Sequence, residues 1–121
     1  MAQTIFERYG GFASVRKVVS AFYDKILDSE TLSPYFANTN MRTLIDHQTQ
    51  FISMVMGGPG TITDDVLRRV HAPLGISREH FNEMADLLTE TLEDFDYESP
   101  DVEYVEREIQ RREPLIVTRF D

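Results

Sequence analysis

Three histidines are the candidates for metal or acid–base chemistry in this sequence, which contains no cysteine. His71 stands in an apolar stretch, and Pro73 and Gly75 stop its predicted helix just beyond it. No second histidine or carboxylate follows His71 at i+3 or i+4, so a zinc site built here would be incomplete. A single imidazole on an apolar wall is typical of an iron whose other ligands come from a porphyrin. The alternative is a helix-end histidine bonded to a carbonyl.

The other two histidines carry weaker signals. The spacing of His47 favours a half-exposed residue at the edge of an apolar stripe. Gln48, its neighbour, lies four residues after Leu44 in that stripe, and a polar amide at a core-facing position needs a partner or a ligand. It could also be a core amide bonded to the backbone. We expect His80 to face solvent near a helix start, and we assign it no role.

Helices predicted from the spacing of apolar residues carry these side chains. Apolar residues at helical spacing predict a helix from about 12 to 27, with the Tyr23 hydroxyl carried toward its buried side. That tyrosine could equally be an ordinary core residue. A helix from about 41 to 56 is predicted next, with Asn38 or Asn40 as its N-cap. The run from Gly57 to Gly60 must end it, since three glycines and a proline cannot continue a helix.

The remaining segments are also helical. Gly10-Gly11 stops a short opening helix, and a short helix from about 64 to 74 carries His71. Ser77 is the predicted N-cap of the next helix. A last helix starts at residues 99–101 and is ended by Pro114, and we expect the apolar tail 115–120 to dock on the core. The sequence therefore predicts an all-α fold.

Length and composition predict one domain over residues 1–121. The net charge of −9 argues against nucleic acid or an anionic membrane as a partner, because both require a basic face. No apolar run approaches the roughly 20 residues that a membrane span needs. The first residues contain no signal peptide, so we expect a cytoplasmic protein, and a monomer.

Several motifs together resemble the group I truncated haemoglobins. Residues 22–27 and 32–41 are similar to the second helix and corner of that family, and Gly10-Gly11 and Gly57-Gly58-Pro59 to its two glycine motifs. Residues 70–81 look like its proximal segment. The resemblance covers about residues 5 to 95. It implies a two-on-two helical sandwich around haem b.

The resemblance also implies roles for individual residues. His71 matches the proximal iron ligand, and Tyr23 and Gln48 match the distal pair that donates hydrogen bonds to a bound ligand. Phe36 matches the corner phenylalanine on the haem face. Further matches around the haem are Tyr35 beside Phe36, Leu44 over the iron, Phe51 at the ligand tunnels, Leu74 and Phe81. Weaker candidates for the propionate rim are Thr39, Met41, Arg68 and Arg69.

Three departures from the family pattern stand out. Many relatives carry Lys or Arg where His47 stands, and a subset with His there uses it as a second axial ligand. Ile62 and Leu67 occupy places where the family often has an aromatic residue and a methionine. The chain after about Asp96 has no specific match. The first departure makes His47 a possible distal iron ligand.

The leading functional hypothesis is reversible binding of diatomic ligands, chiefly O2 but also NO and CO. Detoxification of NO to nitrate would need an external reductase, because the chain has no flavin or nicotinamide motif. A second hypothesis is a haem protein with His47 and His71 both on the iron, acting in electron transfer or protection against reactive nitrogen and oxygen species. A haem-free helical interaction domain is a third, which the composition permits.

Overall fold

The computed structural model describes residues 3–119, and its regular elements are helical. The α-helices are α1 (Ile5–Arg8), α2 (Phe12–Leu27), α3 (Met41–Val55), α4 (Asp64–His71), α5 (Arg78–Asp94), α6 (Ser99–Arg111) and α7 (Glu113–Ile116). Two 3-10 turns, Ser33–Phe36 and Ala72–Leu74, lie before α3 and after α4. The predicted all-α fold is confirmed. The ends of the domain prediction, residues 1, 2, 120 and 121, lie outside the described residues.

The first half of the chain follows its predicted elements closely. Helix α2 occupies the predicted span, with five residues of its apolar stripe buried, Val15, Val18, Val19, Tyr23 and Ile26. Helix α3 begins after Asn40, whose side chain accepts a hydrogen bond from the Thr43 N–H. The polypeptide leaves α3 through Gly57, which has a φ of +91°. Because only glycine adopts that conformation without strain, the helix ends where the glycine run begins.

Two helix boundaries in the second half differ from the prediction. The α-helix that carries His71 ends at that residue rather than near residue 74, and Pro73 lies in the tighter 3-10 turn that follows. Pro114 does not end the last long helix, since α6 ends at Arg111 and Pro114 lies in the first turn of α7. Proline is tolerated at such positions because the first N–H groups of a helix have no intrahelical partner.

Two helix pairs form the body of the protein. Helix α2 packs on α3, α5 packs on α6, and α2 also contacts α5, so that the pairs face each other across the apolar core. The fully buried side chains at the centre include Ile26, Leu92 and Val105, one from each of three helices. Helix α4 stands apart from these pairs and contacts α7 instead. In residues 3–119, no helix is long and apolar enough to cross a membrane.

A polar cluster, which we call the clasp, joins α1 to α6 and consists of Arg8, Tyr9, Tyr97 and Asp101. The Asp101 carboxylate accepts hydrogen bonds from both terminal nitrogens of Arg8, at 2.9 and 2.6 Å, and from the Tyr9 hydroxyl at 2.6 Å. The rings of Tyr9 and Tyr97 stack with their centroids 3.8 Å apart. Arg8 and Asp101, which are 93 positions apart in the sequence, are held together in this way.

The tail docks as predicted as far as the structure describes it. Val117 is buried, and Leu115 and Ile116 pack against the core. The N–H groups of Thr118 and Arg119 donate to the Ile76 carbonyl at 3.0 and 3.2 Å. The last residue of the predicted tail, Phe120, lies outside the described residues.

Candidate functional site: a cavity between α3 and α4

An apolar cavity separates α4 from α3 and from the second helix pair. Its walls come from the four long helices α2, α3, α5 and α6, from α4 and the turn after it, and from shorter segments. The lining residues are Phe22, Tyr23, Tyr35, Phe36, Leu44, Gln48, Phe51, Ile52, Leu67, Val70, His71, Leu74, Ile76, Phe81, Met84, Ala85, Leu88, Ile109 and Ile116. The cavity has a volume of about 170 Å³. Two of its lining residues, Val70 and Leu74, are 57% and 44% exposed to solvent. Apolar side chains left in water on a cavity wall indicate a ligand-binding surface.

His71 is presented to this cavity by a short helix with strong end signals. The Thr63 side chain caps α4 by accepting from the Val66 N–H, and two aspartates in the first turn favour the same polarity. The chain turns away after His71 because of Pro73 and Gly75, which has a left-handed φ of +62°. His71 is thereby held at the last position of α4.

The hydrogen bonding of His71 determines which ring nitrogen is available. Its Nδ1 lies 2.7 Å from the Leu67 carbonyl oxygen, so Nδ1 carries the proton and donates. The other nitrogen, Nε2, then keeps its lone pair and can act as a metal ligand. Within residues 3–119 no group of three or more His, Cys, Asp or Glu side chains could hold a metal ion. A metal bound here would therefore need its other ligands from a cofactor.

On the wall formed by α2 and α3, Tyr23 and Gln48 are the polar side chains. Tyr23 is only 7% exposed, and burial raises the pKa of its hydroxyl, which keeps it protonated and able to donate. Neither the Tyr23 hydroxyl nor the Gln48 amide has a hydrogen-bond partner in the part of the chain that the structure describes. Tyr23 is buried and Gln48 is half-buried. Because polar groups shielded from water almost always have a partner, two open ones on an apolar wall indicate a ligand.

The 3-10 turn Ser33–Phe36 adds two aromatic side chains to the cavity. Phe36 makes an edge-to-face contact with Tyr23, with ring centroids 5.7 Å apart. The Tyr35 hydroxyl lies 2.6 Å from Nδ1 of His80, and the two rings also meet edge to face. The prediction that His80 faces solvent was therefore wrong. Tyr35 packs over the first turn of α5, and this leaves His80 half-buried.

The other predicted site residues divide into two groups. Leu44, Phe51, Leu74 and Phe81 line the cavity. Thr39, Arg68 and Arg69 are exposed, Met41 packs against the core, and none of the four is part of the lining. Arg68 instead forms an ion pair with Asp65. Their place at a propionate rim stays a prediction.

His47 also lies outside the cavity lining. It is exposed, whereas the adjacent Gln48 lines the cavity. Successive residues of an α-helix point about 100° apart, and the side of α3 that faces the cavity carries Leu44, Gln48, Phe51 and Ile52. Ligation of the iron by His47 stays a prediction, and it would require α3 or its side chain to move.

Several cavity residues were not among the predicted site residues. Leu67 and Val70 lie four and one positions before His71 on α4, and Ile116 comes from α7. Leu67 could have been found from the helical spacing around His71, because position i−4 shares a face with it. Val70, at i−1, points about 100° away around the helix, so spacing alone does not assign it to the cavity. Ile116 could not have been found, since no pattern in the sequence shows which element α7 covers.

Comparison with known proteins identifies the family. The sequence model of a family described as bacterial-like globin matches residues 4–116. A group 1 truncated haemoglobin of Mycolicibacterium paratuberculosis is 36% identical over 89 residues, which are 74% of this chain and 65% of that protein. The chain belongs to the group I truncated haemoglobins.

Other truncated haemoglobins agree with this assignment. The group 1 protein of Tetrahymena thermophila is 32% identical over 75% of each chain. The crystal structure of the truncated haemoglobin from Tetrahymena pyriformis superposes with a TM-score of 0.86 at 26% identity, covering 95% of this chain and 98% of that one. A group II truncated haemoglobin from Bacillus anthracis, at 22% identity and a TM-score of 0.87, shows the same fold. The predicted two-on-two globin fold is confirmed.

Membership in this family makes the protein a haem-binding globin with small diatomic ligands. The cavity fits such a cofactor chemically. It offers apolar walls, one imidazole with a free Nε2, and two unpartnered polar side chains on the side formed by α2 and α3. Two lining residues, Val70 and Leu74, are exposed, and a bound macrocycle would cover apolar surface of this kind. His71, Phe36 and the lining of α5 are the residues that would hold it.

Proposed function

We propose that this truncated haemoglobin reversibly binds diatomic ligands, chiefly O2, at haem b held by His71. When bound, the haem supplies an iron with a coordination position for such a ligand. The observation that carries the proposal is the Tyr23 hydroxyl, which is buried, protonated and without a partner within residues 3–119. A group in that state is a preformed hydrogen-bond donor.

The two walls of the cavity would then have separate tasks. His71 donates from Nδ1 to the Leu67 carbonyl at 2.7 Å, which holds the ring orientation and makes Nε2 a better ligand. Tyr23 and Gln48 donate hydrogen bonds to the ligand on the other side. Donors aimed in advance at a ligand that gains negative charge cost no reorganisation when it binds. Such donors favour O2, which becomes more polar on binding than CO does.

Access to the site would be controlled by Leu44 and Phe51. Both line the cavity on the α3 side, and the Phe51 ring is covered from outside by the Arg112 guanidinium, 5.7 Å from its centroid. Arg112 is itself buried. The attraction between the guanidinium and the ring face stabilises this position of Phe51.

We further propose that NO is consumed by reaction with O2 held in the cavity to give nitrate, with an external reductase restoring the ferrous iron. Mixing the oxygenated protein with one equivalent of NO is expected to yield one equivalent of nitrate and the ferric protein. Release of O2 with formation of a stable ferrous NO complex would contradict this second step and leave reversible O2 binding intact.

The experiment that tests the proposal is the rate of O2 dissociation from the ferrous protein, measured by stopped flow against CO. Tyr23→Phe removes the hydroxyl and keeps the ring, and loss of one hydrogen bond of about 1.4 kcal/mol predicts roughly tenfold faster dissociation. Tyr104→Phe, on the exposed face of α6, is the matched control and should leave the rate unchanged. An unchanged rate in Tyr23→Phe would remove Tyr23 from the mechanism.

A further inference from the structure

We propose that Tyr35, with His80 as its base, is a one-electron donor that gives the haem-loaded protein a peroxide-dependent activity towards small phenols. This inference rests on haem in the cavity, but not on O2 as its ligand. The structure supports it through the contrast among the five tyrosines of the chain.

Tyrosine is the readily oxidised one-electron donor that this sequence offers. The chain contains no cysteine and no tryptophan, but five tyrosines. Two of them, Tyr23 and Tyr35, line the cavity, so electron transfer from either to a haem there would cross only the cavity wall.

The two cavity tyrosines differ in whether a base can take the phenol proton. An oxidised phenol is a strong acid, so a phenol gives up an electron readily only if a base accepts its proton in the same step. Tyr23 has no such partner within residues 3–119, and burial raises its pKa. The Tyr35 hydroxyl lies 2.6 Å from Nδ1 of His80, which is hydrogen-bonding distance for proton transfer. Of the two, Tyr35 is the more readily oxidised, because His80 can accept its proton.

The other three tyrosines lack at least one of the two requirements, contact with the cavity and a nitrogen base. Tyr9 donates to the Asp101 carboxylate, but neither belongs to the cavity lining. The Tyr97 hydroxyl is buried without a partner among the described residues. Tyr104 lies on the exposed face of α6. Only Tyr35 combines contact with the cavity and a nitrogen base.

The proposed reaction balances with hydrogen peroxide as the oxidant. Each oxidised Tyr35 loses one electron to the haem site and one proton to Nδ1 of His80. The resulting tyrosyl radical takes a hydrogen atom from a phenol, which restores Tyr35 and leaves a phenoxyl radical. Two such cycles supply the two electrons that break the O–O bond of one hydrogen peroxide. With the two protons released by His80, the products are two waters. Tyr35 and His80 are both half-buried, and a small phenol would meet the pair at the part of its surface that is exposed.

The test locates the radical rather than measuring turnover. The hemin-loaded full-length protein is mixed with hydrogen peroxide and the spin trap 2-methyl-2-nitrosopropane, and peptide mass spectrometry then maps the adduct. We expect the adduct on Tyr35 in the natural protein and in the control Tyr104→Phe, and none at that peptide in Tyr35→Phe. His80→Phe keeps a ring against Tyr35 but removes the base, and should slow adduct formation by roughly 10²-fold. His80→Gln is a second variant without an imidazole.

The Soret band of each variant reports haem loading separately from the adduct, and the O2 dissociation rate tests the proposed function separately from both. An adduct on Tyr23 or on the clasp tyrosines instead of Tyr35 would overturn the inference. So would an undiminished rate in both His80 variants, or a haem-loaded natural protein that forms no tyrosine adduct.

Discussion

The clasp between α1 and α6 and the cavity between α3 and α4 each contain a buried tyrosine, Tyr97 and Tyr23, but they differ in how many of their polar side chains are paired within the chain. In the clasp, Asp101 accepts three hydrogen bonds, and the Tyr9 hydroxyl both donates to Asp101 and accepts from the Glu98 N–H at 3.0 Å. In the cavity, the Tyr23 hydroxyl and the Gln48 amide have no partner within residues 3–119. Polar groups paired inside the chain stabilise the fold, whereas those left open on an apolar wall are available to a ligand.

Replacing the acid of the clasp should produce the largest effect on stability. Asp101→Ala leaves Arg8 and Tyr9 without their partner, and we expect the free energy of unfolding to fall by about 2 kcal/mol, reduced from the cost of a fully buried pair because Arg8 is partly open to solvent. Tyr23→Phe in the cavity should leave it nearly unchanged. Urea denaturation of the haem-free protein measures both.

The control for this prediction is Asp46→Ala, which breaks the exposed ion pair with Arg16 and should have no measurable effect. If Tyr23→Phe lowered the free energy of unfolding as much as Asp101→Ala, the Tyr23 hydroxyl would contribute to the stability of the fold as the clasp does.

Acid should weaken the clasp. The hydrogen bond from Arg8, followed by that from Tyr9, holds the pKa of Asp101 below its usual range. A depressed pKa in the folded state stabilises the protein above the unfolded value, near 4, and this stabilisation is lost as the pH falls through the lower folded pKa. Stability below about pH 4 should therefore decline less steeply in Asp101→Asn than in the natural protein. Parallel declines would exclude Asp101 as a source of the acid sensitivity.

The smallest expected effect concerns Tyr97, the one clasp residue whose hydroxyl is buried without a partner among the described residues. Burial raises its pKa to about 12. The folded state then binds this proton more tightly than the unfolded state, whose pKa is about 10, so stability falls as the pH rises from about 10 to about 12. Tyr97→Phe should flatten that decline and add about 1 kcal/mol at neutral pH. Tyr104→Phe is the control, and a decline as steep in Tyr97→Phe would contradict the assignment.

Local patterns predicted the elements, whereas most of the predicted cavity residues were implied by the resemblance to the group I truncated haemoglobins. The apolar stripe of α2, the Asn40 and Ser77 caps and the glycines after α3 depend on residues within a few positions of one another, and the structure confirms each. The four-residue spacing of Leu44 and Gln48 on α3 likewise predicted that Gln48 faces the core, and Gln48 lines the cavity. Such features follow from helix geometry alone.

Contacts between distant segments could not be predicted in this way. His80 was expected to face solvent, because nothing near it in sequence indicates Tyr35, 45 positions away. The clasp pairs residues from opposite ends of the chain, and only the packing of α1 against α6 brings them together. Periodicity shows which face of a helix is buried but not which element covers it. For the same reason it left the orientation of His47 open.

The central claim is that this cavity binds haem through His71, and a titration of hemin into the haem-free protein, followed by the absorption spectrum, tests it most directly. We predict a saturable Soret band at one haem per chain in the natural protein. In His71→Ala, haem should dissociate at least roughly 10²-fold faster, while the fold is retained by circular dichroism. An equally stable haem complex in His71→Ala, or no Soret band in the natural protein, would contradict the account.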